Sequence, residues 1–303
     1  MKGIILSGGK GTRLYPSTKV LSKQLLSVYD KPMIYYPLST LMLGGIKEIA
    51  LISTPSDLPQ YEKLLGDGSS FGISIEYFEQ SSPKGLAEAF IICKDFIGED
   101  DVCLILGDNI FYGNLRIEEH VNNFKSGAFV FAYSVQDPER YGVLKLNNVG
   151  VATDIIEKPK TYVSNLAIPG FYMYDNSVVS KSLKLEPSDR GELEITDINR
   201  IFLANSEFKF EILGRGIAWF DVGTSESLQN ASEFVNQIEK LQSHKIACLE
   251  EISLRKGFIS LDYFNSIINK IPDSTYKDYL DKIRLEIEKW GTDSDSKLKE
   301  YQP

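Results

Sequence analysis

A loop that could grip a polyphosphate follows the first apolar run of the chain. Ser7-Gly8-Gly9-Lys10-Gly11-Thr12-Arg13 combines three glycines with two cations. Glycine lets a backbone turn sharply and bring its N–H groups close to a bound anion. Arg13 adds a planar, permanently charged fork suited to phosphate oxygens, and Lys23, beyond Pro16, adds a mobile point charge. A tight turn with solvated charges is the plain alternative for this stretch alone. Two better-known phosphate loops are excluded: Lys10 is followed by Gly11 rather than Ser or Thr, and Leu14 stands where a dinucleotide fingerprint has its third glycine. Two acids also follow apolar runs, Asp108 after Leu104-Ile105-Leu106 and Asp221 after Ala218-Trp219-Phe220. Magnesium prefers oxygen ligands and commonly takes one or two carboxylates plus substrate phosphates. Taken singly, each Asp is more simply a turn or helix cap.

The elements that position these residues alternate between apolar runs and helical patterns, as in a largely parallel α/β sheet. Gly3 to Leu6 opens the chain as a strand, Leu38, Leu41 and Met42 repeat at helical spacing, and Gly44-Gly45 ends that helix. Ile49 to Ile52 is a buried strand, Tyr61, Leu64 and Leu65 mark a short helix, and Ile73 to Tyr77 alternates as a strand does. Gly85 to Phe96 is expected to be one helix, followed by the strand Val102 to Leu106. Gly107-Asp108-Asn109 then lies just beyond a strand's carboxyl end, where open α/β sheets bind ligands. The middle is richer in β-structure, with strands expected over Phe129–Val135, Val143–Leu146, Ile155–Ile156 and Gly170–Tyr174. Leu193 to Leu203 is helical, with Glu192 and Glu194 near its start favouring the dipole. Phe208–Leu213 and Ile217–Phe220 resemble a hairpin around Gly214-Arg215-Gly216, and helices dominate from Ser225. His120 and His244 fall in helical regions, as packing or surface residues.

At 303 residues the chain can bury a substantial core, and its hydrophobic (43%) and charged (25%) fractions are those of ordinary soluble globular proteins. A net charge of −9 argues against a broad nucleic-acid or anionic-membrane surface, so an anionic substrate needs a local basic pocket. Arg13, Lys23, Lys158 and Arg190 can supply it. Cys93, Cys103 and Cys248 show no metal-ligand spacing and fit a reduced cytoplasmic protein. No apolar run is long enough for a signal peptide or a membrane span.

Together the motifs are more specific than any one of them. Gly8-Gly9-Lys10-Gly11-Thr12-Arg13-Leu14 with Pro16, Ser22-Lys23-Gln24-Leu25, Asp30-Lys31-Pro32-Met33-Ile34-Tyr35-Tyr36-Pro37, Gly107-Asp108-Asn109 and Glu157-Lys158-Pro159 occur in that order. This pattern resembles the sugar-1-phosphate nucleotidylyltransferases, most closely their thymidylyltransferase branch, from Met1 to about Leu285. The resemblance implies a Rossmann-like nucleotidyltransferase fold with a mixed, mostly parallel sheet and a smaller β-rich sugar-binding part. It implies a nucleotidyltransferase domain over residues 1–240 and a C-terminal helical extension over 241–303, with a polar tail from about 291.

The reaction so implied is attack of a sugar 1-phosphate oxygen, from glucose 1-phosphate, on the α-phosphorus of dTTP, with release of pyrophosphate. The sugar phosphate is already an anion, so catalysis reduces to in-line positioning and charge neutralisation. Arg13, Lys23, Asp108 and Asp221 are the implied catalytic residues, the two acids holding Mg2+. Nucleotide contacts map to Leu6, Gly8, Gly9, Gly11, Thr12, Arg13, Gln24, Gln80, Gly85 and Asp108. The Gln80 amide, both donor and acceptor, matches the O4 and N3–H edge of thymine. Sugar-phosphate contacts map to Leu86, Tyr141, Gly142, Glu157, Lys158, Ile168 and Arg190.

Departures from the pattern bear on specificity: Lys10 for Ser, Ser27 for Pro, Lys84 for Asp, Glu88 for Gln, and Pro169 and Val222 for two threonines. A relative using UTP or another hexose 1-phosphate is the alternative reading. A non-catalytic regulatory relative is expected to lose the metal acids or the Arg13–Lys23 pair, and all four are present. The resemblance finally implies a homotetramer with a regulatory nucleotide pocket formed by His120, Gly214, Arg215, Gly216 and Arg255. Leu249 stands there for a usual Pro.

Overall fold

The computed structural model describes residues 1–9 and 11–291, so Lys10 and the polar tail beyond Gly291 lie outside the described residues. A ten-stranded sheet runs through the molecule. In spatial order nine of its strands are Ala152–Glu157, Gly142–Leu146, Leu166–Ala167, Ala128–Ser134, Phe171–Tyr174, Val102–Leu106, Lys2–Leu6, Glu48–Ser53 and Ser74–Glu79, and the tenth, Phe208–Ile212, also pairs with Ala128–Ser134. The four from Val102–Leu106 to Ser74–Glu79 are mutually parallel, and Phe171–Tyr174 is inserted antiparallel beside them. Alternate side chains of the parallel strands feed opposite cores: Ile5, Leu51 and Ile105 one, Ile4, Ile52 and Leu104 the other. Burial on both faces is why these strands read as continuous apolar runs.

From Lys2–Leu6 the chain moves outward through Glu48–Ser53 and Ser74–Glu79. It then returns to place Val102–Leu106 on the other flank of the first strand. That reversal opens a crevice at the carboxyl ends of the two strands, where the N–H of Gly107 donates to the carbonyl of Leu6 at 2.9 Å. The glycine loop and Asp108 therefore leave the sheet side by side.

Two expectations are corrected. Phe208–Ile212 and Ala218–Asp221 do not form a hairpin. The former runs parallel to Ala128–Ser134 in the main sheet, and the latter pairs antiparallel with Asn109–Tyr112 in a separate ribbon. The loop between them crosses from one sheet to the other, with the Tyr133 hydroxyl donating to the Ile217 carbonyl at 3.2 Å. Glycine spacing marks a turn without saying whether the chain doubles back. The helix expected over Gly85–Phe96 is two short ones, Glu88–Ile92 and Lys94–Ile97. Gly85, at φ +103°, belongs instead to a strand-like contact in which Leu193 N–H donates to Lys84 (2.7 Å) and Ala87 N–H to Leu193 (3.2 Å). The same contact delays the next helix, which spans Ile195–Ala204. His244 lies just past the end of the helix Ser225–Gln242.

The helices Leu249–Arg255, Leu261–Ile268 and Thr275–Trp290 close over their own apolar cluster, which includes Leu254, Phe264 and Leu280. A paired charge cluster ties the stretch just before these helices to the segment that follows the glycine loop. Lys31, only 3% exposed, donates to Glu239 at 3.0 Å and to Asp30, and Lys245 pairs with the same two acids. Every charge has a partner, which such burial demands.

Glu250 is buried nearby, its carboxylate accepting the Tyr276 hydroxyl at 2.5 Å, and burial raises its pKa above the ordinary 4.5. The native chain therefore keeps this proton to higher pH than the unfolded chain does. Stability contributed by the protonated form is full below the unfolded value and is lost as pH rises through the raised one. Glu250→Gln retains the acceptor for Tyr276 and removes that loss. Its melting temperature relative to wild type is expected to rise as pH climbs from the ordinary carboxylate range toward neutrality. Parallel melting curves across that range would contradict this.

Candidate active site

The ribbon of Asn109–Tyr112 and Ala218–Asp221 brings the two candidate acids together. Asp221 sits opposite Asn109 in register, and the N–H of Val222 donates to the carbonyl of Asp108 at 2.9 Å. Asn109, 2% exposed, orients this corner. Its amide N–H donates to Asp108 Oδ1 (3.0 Å), while its oxygen accepts from the Gly170 N–H (3.0 Å) and the Trp219 indole (2.6 Å). Burial, then the neighbouring Asp108 carboxylate, pushes the Asp221 pKa up against the pull of Lys23, Arg140 and Arg13. Two carboxylates held together against their own repulsion fit a divalent cation bound by hard oxygen ligands. No group of three or more His, Cys, Asp or Glu residues among the described residues offers an all-protein cage.

Cations surround this pair. Lys23 Nζ donates to Asp108 Oδ2. The Arg13 guanidinium lies against the turn after Asp221, with Nη2 only 2.6 Å from where a side chain on Gly223 would begin. Arg140, which the sequence reading passed over, donates to Asp221 Oδ2 at 3.2 Å and to Asp137 at 2.7 Å. Its guanidinium lies 5.2 Å from the Tyr141 ring centre, and Tyr141 in turn contacts Trp219 at 5.1 Å between ring centroids. The clue was its place directly before Tyr141-Gly142. Asn109 and Trp219 were likewise missed, because their role is visible only in the hydrogen bonds that join two strands.

On the nucleotide side, Leu6 ends its strand and Gly8 and Gly9 begin the loop, while Thr12 opens the short turn Thr12–Leu14 after Gly11. Gln24 is buried, its side-chain oxygen accepting from Ser22 (2.8 Å) and Tyr61 (3.3 Å). Gln80, at the end of the strand Ser74–Glu79, is 5% exposed and lies over Gly8, where a Cβ would stand 2.5 Å from its Oε1. Its Nε2 donates to Glu88 at 2.7 Å. Gly85 and Leu86 lie between these two residues in the loop paired with Leu193.

The residues expected to contact the sugar phosphate also converge. Lys158 N–H donates to the Tyr141 carbonyl (2.9 Å) and Ile168 N–H to the Gly142 carbonyl (2.8 Å). Glu157 accepts from Thr196 Oγ1 at 2.5 Å and from Arg190 at 3.3 Å. Arg190 is gripped by Glu194, with Nε–Oε1 at 3.1 Å and Nη2–Oε2 at 2.7 Å. Lys158, held at φ +42°, keeps its ammonium 3.8 Å from Glu157. Burial raises the Tyr141 pKa to about 12, aided by the Asp221 charge.

Of the three segments expected to form a second pocket, those of His120 and Arg255 are linked by an ion pair. His120 packs on Phe129 with ring centroids 4.7 Å apart and lies 3.5 Å from Glu211, which also pairs with Arg116 at 2.6 Å. Lys256, next to Arg255, reaches Glu118 at 2.8 Å. Arg255 is held by Glu251 (2.7 Å) and Glu286 (3.3 Å), and Gly214-Arg215-Gly216 is exposed.

A cation-lined crevice with paired carboxylates at the switch point of an α/β sheet is a place for moving phosphate groups between substrates. The chain belongs to the nucleotidyl transferase family, whose model matches residues 2–238. The glucose-1-phosphate thymidylyltransferase of Neisseria meningitidis is 52% identical over 282 residues, covering 92% of this chain and 98% of that protein. That of Mycobacterium tuberculosis is 48% identical over 282 residues, with the same coverage. A crystal structure assigned as a glucose-1-phosphate thymidylyltransferase of Bacillus anthracis, in complex with sucrose, is 43% identical. It superposes with a TM-score of 0.72 over 77% of this chain and 94% of that one. A UDP-glucose pyrophosphorylase structure at 22% identity, TM-score 0.68, shares the fold over 78% of this chain and 98% of its own.

Proposed function

We propose that this protein transfers the thymidylyl group of dTTP to glucose 1-phosphate, forming dTDP-glucose and pyrophosphate. The observation that carries this reading is the paired Asp108 and Asp221, flanked by Lys23 and Arg13. They lie in a chain about half identical, over most of its length, to glucose-1-phosphate thymidylyltransferases. A phosphate oxygen of the sugar phosphate forms a bond to the α-phosphorus as the bond to the bridging oxygen breaks, and the electron pair leaves with pyrophosphate. A magnesium ion on Asp108 and Asp221 supplies Lewis-acid neutralisation of phosphate oxygens. Arg13 and Lys23 neutralise the moving phosphates, and Lys158 and Arg190 hold the sugar phosphate in line. Each Glu157 oxygen keeps a lone pair for a sugar hydroxyl beyond those given to Thr196 and Arg190. Gln80 reads the base. Uracil presents the same edge as thymine, so discrimination against UTP rests on a methyl contact worth about 1–3 kcal/mol. Incubation of dTTP, glucose 1-phosphate and magnesium with the protein, followed by 31P NMR, should show the sugar-linked diphosphate and pyrophosphate accumulating in equal amounts. Pyrophosphate split to phosphate without a sugar product would contradict it.

The same reading places the protein in the cytoplasm as a homotetramer, and no described helix is long and apolar enough to cross a membrane. His120, Gly214, Arg215, Gly216 and Arg255 form its regulatory nucleotide pocket, in which the two arginines clamp a diphosphate. The ion pairs from Lys256 to Glu118 and from Arg116 to Glu211 support one connected site. Inhibition by a dTDP-deoxysugar is then a coupling between two distinct sites. Arg255→Ala should raise the inhibitory concentration of that end product about tenfold or more, with uninhibited turnover within about twofold. Equal inhibition of both proteins would remove the case for the pocket.

A further inference from the structure

We propose that Glu88 fixes the amide orientation of Gln80, making the site select bases that present a keto oxygen beside a ring N–H over bases that present an amino group beside a bare ring nitrogen. The inference rests on the reading of Gln80 as the residue that meets the base. Gln80 is 5% exposed, and its Nε2 lies 2.7 Å from Glu88 Oε2. An ionised carboxylate only accepts hydrogen bonds, so the amide nitrogen must face it. The reversed amide would set two acceptor oxygens against each other in a nearly buried place, leaving both without a donor.

Glu88 is well placed to impose this choice. It opens the helix Glu88–Ile92, between Ala87 and Ala89, both fully buried. On the other side of the amide, Oε1 points toward Gly8, whose missing side chain leaves it room. One N–H of Gln80 is thus given to Glu88, and the remaining N–H and Oε1 meet a ligand in one fixed order.

Order is what distinguishes the bases. Thymine offers the O4 acceptor beside the N3–H donor, whereas cytosine offers an N4 amino donor beside the N3 acceptor. The same amide serves either base, but only by turning over. A glutamine at position 88 donates or accepts with equal ease and tolerates both orientations. A carboxylate tolerates one. Glu88 is therefore a positioning residue that acts through Gln80.

The test measures kcat/KM for dTTP and for dCTP, with glucose 1-phosphate, in wild type, Glu88→Gln and Gln80→Ala. Glu88→Gln is isosteric, and turnover with saturating dTTP within about threefold of wild type reports an intact fold. Its dTTP/dCTP ratio should fall about tenfold, mainly through a lower KM for dCTP. A loss of packing alone would change both nucleotides together and leave that ratio where it was. Gln80→Ala should lower the ratio as well. A wild-type ratio in Glu88→Gln with a reduced one in Gln80→Ala overturns the role of Glu88 alone. A wild-type ratio in Gln80→Ala overturns the assignment of Gln80 to the base.

Discussion

Asp221→Asn is expected to lower kcat by about a thousandfold, roughly 4 kcal/mol of transition-state stabilisation, while the fold survives. In the metal-free chain Asp221 is a partly buried carboxylate beside a second one, and that neighbour helps to raise its pKa. Neutralising it removes repulsion from Asp108 and leaves the amide able to accept from Arg140, now 3.2 Å away. The melting temperature without metal should therefore hold or rise, as when a residue kept for function is relieved of its strain. Asp108→Asn should be equally inactive, since Asp108 is the partner of Lys23 and the acceptor for Asn109. Wild-type turnover by both variants at low magnesium would remove both acids from the chemistry. Inactivity together with loss of the cooperative melting transition would instead assign them a structural role.

Arg13→Ala is expected to reduce kcat about a hundredfold or more, with a smaller change in the KM for glucose 1-phosphate. The guanidinium is exposed at the rim and meets the protein at the Gly223 turn beside Asp221, so its removal opens no cavity in the core. Its charge is needed most as negative charge builds on the departing pyrophosphate, which places its contribution in the transition state. Arg13→Lys should recover part of the rate, because a point charge remains while the planar fork is lost. A change confined to the KM for the sugar phosphate would move Arg13 to the other substrate.

Much of this site could be read from the sequence, for identifiable reasons. Strands buried on both faces are continuous apolar runs, so the ends of Lys2–Leu6 and Val102–Leu106, and hence the places of Gly8 and Asp108, were visible. Asp221 was visible as an acid after a strand, but its partner strand was not. Side-chain pattern reports which residues are buried and says little about which edge a short strand joins. For that reason the ribbon with Asn109–Tyr112 was read as half of a local hairpin. Arg140 and the Gln80–Glu88 contact escaped for a related reason. Each joins separate elements or turns through a single polar atom, which leaves no periodic trace. The break at Gly85 shows tertiary context overriding local propensity, since Lys84 and Ala87 on either side of it hydrogen-bond the backbone of Leu193, more than a hundred residues away in sequence.

The most direct measurement is the rate of pyrophosphate release with dTTP, UTP, dCTP and dATP, each paired in turn with glucose 1-phosphate and other hexose 1-phosphates in the presence of magnesium. The highest kcat/KM is expected for dTTP with glucose 1-phosphate, with UTP lower by about tenfold to a hundredfold and next in rank. No release above background with any pair would contradict the assignment of a nucleotidyl-transfer reaction, and a clear preference for dCTP or dATP would contradict the base reading built on Gln80.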